Sequence, residues 1–469
     1  MSHHIGNLPD HLRTHTSTIF LVALCKKKDF NHESLYGYII EKLKPLESTG
    51  IAIPGHGIVK AGLVFVVGDN LGSHELGGFN ENFSKAQYFC RYCCISRKQF
   101  ESTYGYFYKS EERRAENYEA AIGQTHINTK KGIRFDSAFN ALESFHVCEG
   151  GVPPCFGHDI LEGFAAYDVA LIIHFLDNKK WLTYEELQER TKSFNYSSID
   201  KRDKPVEFLE SYDRVRGGAW QIWTFIELLP LIMNNCINRN EPSWLLLLLL
   251  IEIIEILCSL TIHKDNLAYL HVLIVDYLKL RAELFPHVRL RPKHHYMLHY
   301  PELILTYGPL LKVWAMRFES KHSFFKNCIR SSTNFIKVLL SLSVRHELYQ
   351  CFLRSGGDVR CEITIKKPVR FDLQLYSDSI QSAIAMSTLS LPVEHCASAT
   401  VKGTVYKNGE AVVLRQEGYQ CFVEVRRIRF LLYDNKEKLY VLVENLETDF
   451  VPHMRAYKLG SVLKYECLC

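Results

Sequence analysis

The stretch WLLLLLLIEIIEIL, at residues 244–257, constrains the fold of this chain more than any other. It is shorter than the ~20 apolar residues that a membrane-spanning helix requires, and Glu252 and Glu255 interrupt it. We therefore expect it to be a buried helix inside a helical domain. Two preceding segments, GFAAYDVALIIHFLD and AWQIWTFIELLPLIMNN, also carry apolar residues at helical spacing, which predicts a mostly helical region over about residues 140–285.

The two ends of the chain have other patterns. TIFLVALC (18–25) and GLVFVVGDN (62–70) are apolar runs typical of buried strands, and HESLYGYIIEKLKPLES between them predicts an amphipathic helix. Towards the C-terminus, VKGTVYKNGEAVVLRQ alternates around Lys407-Asn408-Gly409, which predicts a β-hairpin. Further strands follow it, so we predict a small antiparallel β-barrel over 396–469. The irregular stretch before it is expected to be a linker.

Charge and cysteine content limit the function classes. The chain has 56 Lys and Arg against 52 Asp and Glu, so net charge gives no argument for nucleic-acid binding, and local basic patches must carry one. Its 15 cysteines are scattered through a chain too long to need a disulfide scaffold, and the N-terminus shows no apolar signal segment. These features favour a reducing, intracellular compartment, where cysteines are core residues or metal ligands.

Cysteine and histidine motifs give the first candidate metal site. Cys90 and Cys93 lie in YFCRYCC, where a tight turn lets two thiolates bind one zinc ion, whereas the adjoining Cys94 should point elsewhere. In RPKHHYMLHYP, either His294 or His295 is spaced so that it could share an ion with His299. The alternative is that both motifs are ordinary core or surface residues.

A second pair, Cys155 and His158 in VPPCFGHDILEG, precedes a predicted helix. Only two ligands are visible there, although His146 and Cys148 lie close enough in sequence to complete a set. A structural turn rich in proline and glycine is the alternative.

Two acidic residues are candidate catalytic groups. Asp69 ends the predicted strand 62–70, where a carboxylate often takes part in metal chemistry but also often forms a turn. Glu319 lies in VWAMRFESKHSFFKN, on a predicted helix whose register aligns His322, Lys326 and Arg330 on one side. That side is either a solvated charged face or a metal-binding carboxylate beside a basic strip that faces phosphates.

The order of these motifs resembles the catalytic core of eukaryotic cut-and-paste DDE transposases, and a similar layout occurs in the recombinase subunit of vertebrate antigen-receptor rearrangement. Over roughly residues 5–345 the chain is most similar to transposase-derived proteins of the CACTA-related (En/Spm-like) group. The segments that carry the resemblance are LVALCKKKDF, VFVVGDNLGSHELGGFNENFSKAQYFCRYC, FHVCEGGVPPCFGHDILEG, RPKHHYMLHYP and RFESKHSFFK.

The resemblance implies an α/β fold with an RNase H-like core that a large helical insertion interrupts. The implied layout is a core segment over 1–95, the insertion over 96–300, core helices with Glu319 over 301–355, the linker over 356–395, and the β-barrel. It also implies a nuclear protein that binds DNA, without a membrane or a small-molecule substrate, and compatible with a homo-oligomer.

The resemblance assigns roles to individual residues. Asp69 and Glu319 would hold catalytic Mg²⁺, and Cys155-x-x-His158 matches a signature of the insertion. The implied structural zinc ligands are Cys90, Cys93, His294 and His299. Candidate DNA contacts are Lys130, Lys131, Arg291, Lys293, Lys326 and Arg330.

One departure from the family concerns the catalytic triad. Two-metal chemistry at phosphate needs three carboxylates, and we expect the first strand of the fold, with its Asp, to precede Met1. Neither Asp10 nor Asp29 is placed on that strand. Three hypotheses follow. The chain is an active or ancestrally active transposase core that is inactive as given, or it is a non-enzymatic zinc-stabilised remnant that binds nucleic acid or protein. The third is that the sequence is an N-terminally truncated piece of a full transposase.

Overall fold

A computed structural model gives two compact units, Met1–Ser343 and Val344–Cys469. It contains helices together with antiparallel sheets, so the mixed α/β class is as predicted. The structure describes residues 2–3, 5–9, 13, 18–26, 29, 31–102, 109–124, 131–197, 200–208, 210, 213–233, 236–330, 335–353, 355, 363–401, 404–417, 422–434 and 438–468.

The first unit consists mainly of helices. The described α-helices, up to the one that crosses into the second unit, are α1 His32–Ser48, α2 Asn70–Leu76, α3 Arg97–Phe100, α4 Ala115–Ile122, α5 Ala166–Asn178, α6 Tyr184–Ser193, α7 Ala219–Met233, α8 Pro242–Leu257, α9 Asn266–Leu284, α10 Pro292–Tyr296, α11 Tyr300–Tyr307, α12 Met316–Arg330 and α13 Val338–Phe352.

The predicted helices have clear local causes. The Asn31 side chain accepts a hydrogen bond from the Ser34 backbone N–H and so caps α1, which covers the predicted segment. Helix α8 begins with Pro242 at a position where its missing N–H costs nothing. Most of α8 is buried, as its apolar sequence predicted. Across the described residues, every helix is too short or too polar to cross a membrane.

Strands in the first unit are fewer than predicted. Of residues 18–25 only β2, Phe20–Leu21, forms a strand, and it pairs with β1, Ser2–His3. A second small sheet joins β3, Ile51–Ile53, to β4, Gly57–Val59.

The strand predicted at 62–70 pairs with no strand among the described residues. Instead, the Val66 N–H donates to the Gly151 oxygen at 2.8 Å, and the Val66 side chain packs with Tyr36, Ile40 and Phe139. Val66 is therefore buried near helix α1 and a turn, whereas Val64 is 70% exposed, so the apolar run as a whole is only partly buried.

The second unit is mostly antiparallel sheet. Its strands are β5 Ile363–Lys366, β6 Val369–Arg370, β7 Val393–Cys396, β8 Ser398–Val401, β9 Thr404–Lys407, β10 Ala411–Glu417, β11 Phe422–Asp434, β12 Leu439–Val451 and β13 Ala456–Leu468, with helix α14 at Asp378–Ala385. One sheet has the order β13-β12-β11-β7-β6 with β10 also on β11, and a second has the order β5-β8-β9. The described strands form no closed barrel.

Two predictions for this unit are wrong. Strands flank the turn at Lys407-Asn408-Gly409, but β9 pairs with β8 and β10 pairs with β11, so they are not a hairpin. The stretch 356–395 is not a linker, because its described residues include β5, β6 and α14. Phe371 and Ile380 from that stretch pack with Leu432 and Leu442 in one core.

Candidate metal centre and carboxylate site

The CxxC motif forms a tight turn in the first unit. The Tyr92 backbone N–H donates to Cys90 Sγ at 3.3 Å, and Arg113 Nε donates to the Cys90 carbonyl oxygen at 2.8 Å. Cys93 forms an isolated bridge with Glu112. These bonds hold both thiol groups on one side of the turn.

Two histidines from a distant helix meet this turn. Cys93 Sγ lies 3.2 Å from His295 Nε2, Cys90 Sγ lies 3.6 Å from His299 Nε2, and the two imidazole nitrogens are 3.2 Å apart. All four residues are buried, and their ligand atoms lie within 4.8 Å of one another. The fold therefore forms a buried Cys2His2 cluster.

The geometry of the cluster fits a tetrahedral metal ion. An ion about 2.3 Å from sulfur and about 2.0–2.1 Å from nitrogen places neighbouring ligand atoms about 3.3–3.6 Å apart. The Cys90–His299 separation of 3.6 Å lies in this range, and the Cys93–His295 and His295–His299 separations of 3.2 Å lie just below it. The cluster can therefore bind a metal ion such as zinc with little rearrangement.

The pKa shifts of the cluster residues decide which of them are already in the form that binds metal. Burial raises the pKa of the Cys90 thiol. Burial acts in the same direction on Cys93, but hydrogen bonds with Cys90, His295 and His299 outweigh it and hold the pKa of Cys93 well below its ordinary value. Burial lowers the pKa of His295, against the influence of Cys93. The Cys93 thiolate and the neutral His295 imidazole are forms that bind metal, whereas the Cys90 thiol must lose its proton when an ion binds.

The prediction that His294 is the fourth ligand is wrong, because the structure puts His295 in that place. Residues four apart share a helix face, whereas five residues turn the helix by roughly 140° beyond a full turn. His294 instead places Nε2 2.9 Å from Asp168 Oδ2, and its Nδ1 accepts a hydrogen bond from the Arg291 N–H at 2.8 Å.

Asp168 organises a separate buried cluster around His294. Its carboxylate also accepts hydrogen bonds from Tyr277 OH at 2.6 Å and from two nitrogens of Arg281 at 3.3 Å. Burial raises the pKa of Asp168, but His294, Arg281 and Tyr277 outweigh it and lower the pKa. This cluster joins helices α5, α9 and α10, so His294 has a structural role here.

Asp69 lies at the start of helix α2. Its Oδ1 accepts a hydrogen bond from the Gly72 backbone N–H at 2.7 Å, so Asp69 caps this helix. Glu319 lies in the first turn of α12. Burial raises the pKa of Glu319, and the charges of Glu162 and Asp69 raise it further, whereas His158 and Lys326 oppose the shift. The fold thus brings Asp69 into electrostatic range of Glu319.

His158 contacts both Glu319 and Cys155. Its Nε2 lies 3.3 Å from Glu319 Oε1 and 3.6 Å from Glu162 Oε2. Its Nδ1 lies 3.0 Å from Cys155 Sγ, which also accepts a hydrogen bond from the Ala315 N–H at 3.4 Å. Burial raises the pKa of Cys155 to about 12, so it stays a thiol and can donate to Nδ1. Nε2 then carries the proton that faces Glu319.

In the structure Cys155 orients His158 toward Glu319, and this pair is separate from the Cys/His cluster of the described residues, which is Cys90, Cys93, His295 and His299. The motif also positions the start of α12, where Trp314 stacks on Phe156 with ring centroids 4.9 Å apart. Glu162 is a site residue that sequence analysis missed. Its spacing of four from His158 on a helical pattern was the available signal.

Three of the predicted DNA contacts, Arg291, Lys131 and Lys293, have partners within the protein. Arg291 stacks over the Tyr167 ring, and Lys131 pairs with Glu111 at 2.9 Å. Lys293 donates to the His158 carbonyl oxygen at 2.6 Å, so its ammonium group serves the fold. Lys130 lies outside the described residues.

Lys326 and Arg330 are both exposed on α12. Together with the exposed His322 they form a basic strip that begins at Glu319, as the helix register predicted.

No protein-family model matches the chain, and no curated protein sequence is significantly similar to it.

Proposed function

We propose that this chain is a DNA-binding protein of DDE transposase descent, with an RNase H-like core and a nuclear location. In this proposal Cys90, Cys93, His295 and His299 bind structural zinc, and Asp69 and Glu319 bind Mg²⁺. The observation that carries the proposal is the Glu319 carboxylate at the start of an exposed basic strip, where the charge of Asp69 contributes to raising its pKa.

Zinc is the ion that best suits the Cys2His2 cluster. Thiolate and imidazole ligands in tetrahedral geometry favour zinc over the hard, oxygen-preferring cations. Four protein ligands leave no open position for water or substrate, so the ion would be structural. It would join the CxxC turn to the helix that precedes the Glu319 segment.

The oxygen-rich site has a different preference. Carboxylates are typical ligands of Mg²⁺, and phosphate groups of DNA complete its coordination in nucleases and polymerases. Asp69 and Glu319 supply two carboxylates, and Lys326 with Arg330 would pair with backbone phosphates. Because two ions need more carboxylate oxygen than this pair offers, we expect one bound divalent ion and no strand transfer.

The test is a titration with Mn²⁺, monitored by electron paramagnetic resonance, on the zinc-loaded protein. We expect about one bound ion and its loss in Glu319→Gln, with the exposed Glu283→Gln as the matched control. DNA binding by Lys326→Ala/Arg330→Ala should show a salt slope smaller by about two. Absence of Mn²⁺ binding, or an unchanged slope, contradicts the proposal.

An active transposase is the second candidate. Glu162 favours it, because this third carboxylate lies 3.6 Å from His158 beside Glu319. Binding of two Mn²⁺ ions together with Mg²⁺-dependent joining of DNA strands would establish the active enzyme and exclude the non-catalytic alternative.

A further inference from the structure

Arg91 lies between the two cysteine ligands, and its side chain enters a buried polar network. The guanidinium group rests on the rings of Tyr92 and Tyr296, at 4.8 and 5.2 Å from their centroids. Its Nη1 donates to Asn70 Oδ1 at 2.9 Å, and its Nη2 lies 3.9 Å from Asp159 Oδ2. The side chains of Arg91 and Asp159 are 1% and 0% exposed, so this is a fully buried ion pair.

The same network closes through two more bonds. Asn70 Nδ2 donates to Asp159 Oδ1 at 2.6 Å, and Tyr300 OH donates to Asp159 Oδ2 at 3.0 Å. Asp159 therefore receives a hydrogen bond on each oxygen in addition to the charge of Arg91. The hydrogen bonds satisfy both oxygens of Asp159 and both polar side-chain atoms of Asn70, whereas Arg91 Nη2 makes only the ion pair at 3.9 Å. Another arrangement of Asn70 or Asp159 would leave a buried polar group without a partner.

Each member of the network is the chain neighbour of a site residue. Arg91 follows the metal ligand Cys90, and Tyr300 follows the metal ligand His299. On the other side, Asn70 follows Asp69 and Asp159 follows His158.

The bonds Arg91–Asn70–Asp159 thus run from the backbone that carries the metal cluster to the backbone that carries the carboxylate site. Displacing the CxxC turn would move Arg91, which would take the donor from Asn70 Oδ1 and the opposing charge from Asp159.

We propose that Arg91, Asn70 and Asp159 are positioning residues that couple the Cys2His2 metal centre to the placement of Asp69 and His158. The metal ion then does more than stabilise the fold, because its presence sets the geometry of the carboxylate site. The functional part of this inference rests on the function proposed above, whereas the mechanical coupling does not.

Arg113 offers a matched control for Arg91. It is also buried and also contacts the CxxC turn, through Nε to the Cys90 oxygen at 2.8 Å. Its Nη2 donates to the Lys131 oxygen, on another side of the turn from Asn70. Replacing either arginine by methionine removes a buried guanidinium group, but only Arg91→Met breaks the bond to Asn70.

Hydrogen exchange on the metal-loaded full chain tests the coupling. In Arg91→Met we expect amide exchange over Asn70–Leu76 to rise about tenfold above Arg113→Met, since a buried amide loses its partner. The Co²⁺ absorption bands of the substituted cluster should be retained in both variants. Arg91→Lys, which keeps the charge, should restore part of the protection. Equal exchange in the two methionine variants overturns the proposal.

Mn²⁺ affinity supplies a second readout and separates the two proposals. If the wild type binds Mn²⁺, Arg91→Met should bind it about tenfold more weakly than Arg113→Met, and equal affinities overturn the coupling. If the wild type binds none, the proposed function fails, while the exchange measurement still decides the coupling. Should Arg91→Met not fold, Asn70→Ala breaks the same bond from the other side and is judged by exchange over the CxxC turn.

Discussion

The Cys2His2 cluster and the Asp69–Glu319 site lie in the same unit and differ in almost every physical respect. The four cluster residues are buried, and their ligand atoms lie within 4.8 Å of one another. At the other site, the side chain of Glu319 is 41% exposed, and one carboxylate oxygen of Asp69 accepts the hydrogen bond that caps helix α2. The first is a finished, closed arrangement, and the second is an open one that needs a ligand to complete it.

This difference teaches how each site relates to stability. A closed cluster contributes to folding, because its ligands satisfy one another only in the native state. An open carboxylate site costs stability, because like charges are held near each other for use by a ligand. Substitutions in the two regions should therefore have opposite signs, and the following predictions test this, from the largest effect to the smallest.

Loss of one cluster ligand should have the largest effect. Structural zinc couples on the order of 10 kcal/mol to folding, which is comparable with the total stability of a domain. We expect Cys93→Ser and His299→Ala to lose zinc and to abolish cooperative unfolding of the first unit. Metal analysis and thermal unfolding measure this, with Cys94→Ser as the control, because Cys94 is buried beside the cluster but outside it. A wild-type unfolding midpoint for Cys93→Ser would exclude a structural metal.

Asp168→Asn should have the next largest effect. It leaves Arg281, which is 2% exposed, without its counter-charge, and breaking such a buried pair costs about 3–5 kcal/mol. Since the folded-state pKa of Asp168 is lowered, the contribution of its charge is present above the ordinary Asp pKa and is lost as pH falls through the lowered value. Urea unfolding at neutral and acidic pH should show the difference from wild type shrinking in acid. The exposed Asp276→Asn on α9 should show no such loss.

Substitutions of His294 and His295 should have different effects on metal binding and stability, although the two residues are adjacent. His295→Ala should remove the bound metal, whereas His294→Ala should keep it and lose about 1–3 kcal/mol by leaving Asp168 one donor short. Co²⁺ absorption reports the first effect and urea unfolding reports the second. Retention of Co²⁺ by His295→Ala, with its loss in His294→Ala, would reverse the ligand assignment.

Glu319→Gln should have the smallest effect and the opposite sign. The pKa of Glu319 is raised in the folded state, so its ionisation destabilises the fold as pH rises above the ordinary range of a glutamate. The substitution should therefore stabilise the protein at neutral pH, by well under 1 kcal/mol because the group is partly exposed to solvent. Thermal unfolding at neutral pH measures this, and the gain should vanish in acid. A loss of stability at neutral pH would contradict the contrast between the two sites.

Much of the helical structure could be predicted from sequence, because apolar spacing reports burial directly. Helices α1 and α8 are examples, and so is the single face that carries His322, Lys326 and Arg330. The apolar segment at 62–70 shows the limit of the same signal. Its pattern predicted a strand buried on both faces, whereas the structure buries Val66 near a helix and a turn and leaves Val64 exposed.

The candidate site shows a second limit. Motif spacing identified three cluster ligands, but the choice between His294 and His295 depended on helix register, which the resemblance to a family could not settle. The buried pairing of Asp168 with Arg281 and the bond from Arg91 to Asn70 join residues far apart in the chain. Neither pairing leaves a local pattern, so a single sequence could not reveal them.

The Cys2His2 cluster also joins two parts of the chain that the ribosome synthesises at different times. Cys93 and His295 are 202 positions apart, so the ribosome, at ~5–20 residues per second, needs on the order of 10–40 s to bring the second after the first. During that interval the intervening helices are synthesised while the two thiols lack their imidazole partners. In this interval the thiols of the nascent chain can be oxidised or can bind a softer metal such as Cu(I). The yield of correctly loaded protein should consequently depend on how fast these helices are translated and on how well the cell buffers zinc and thiols.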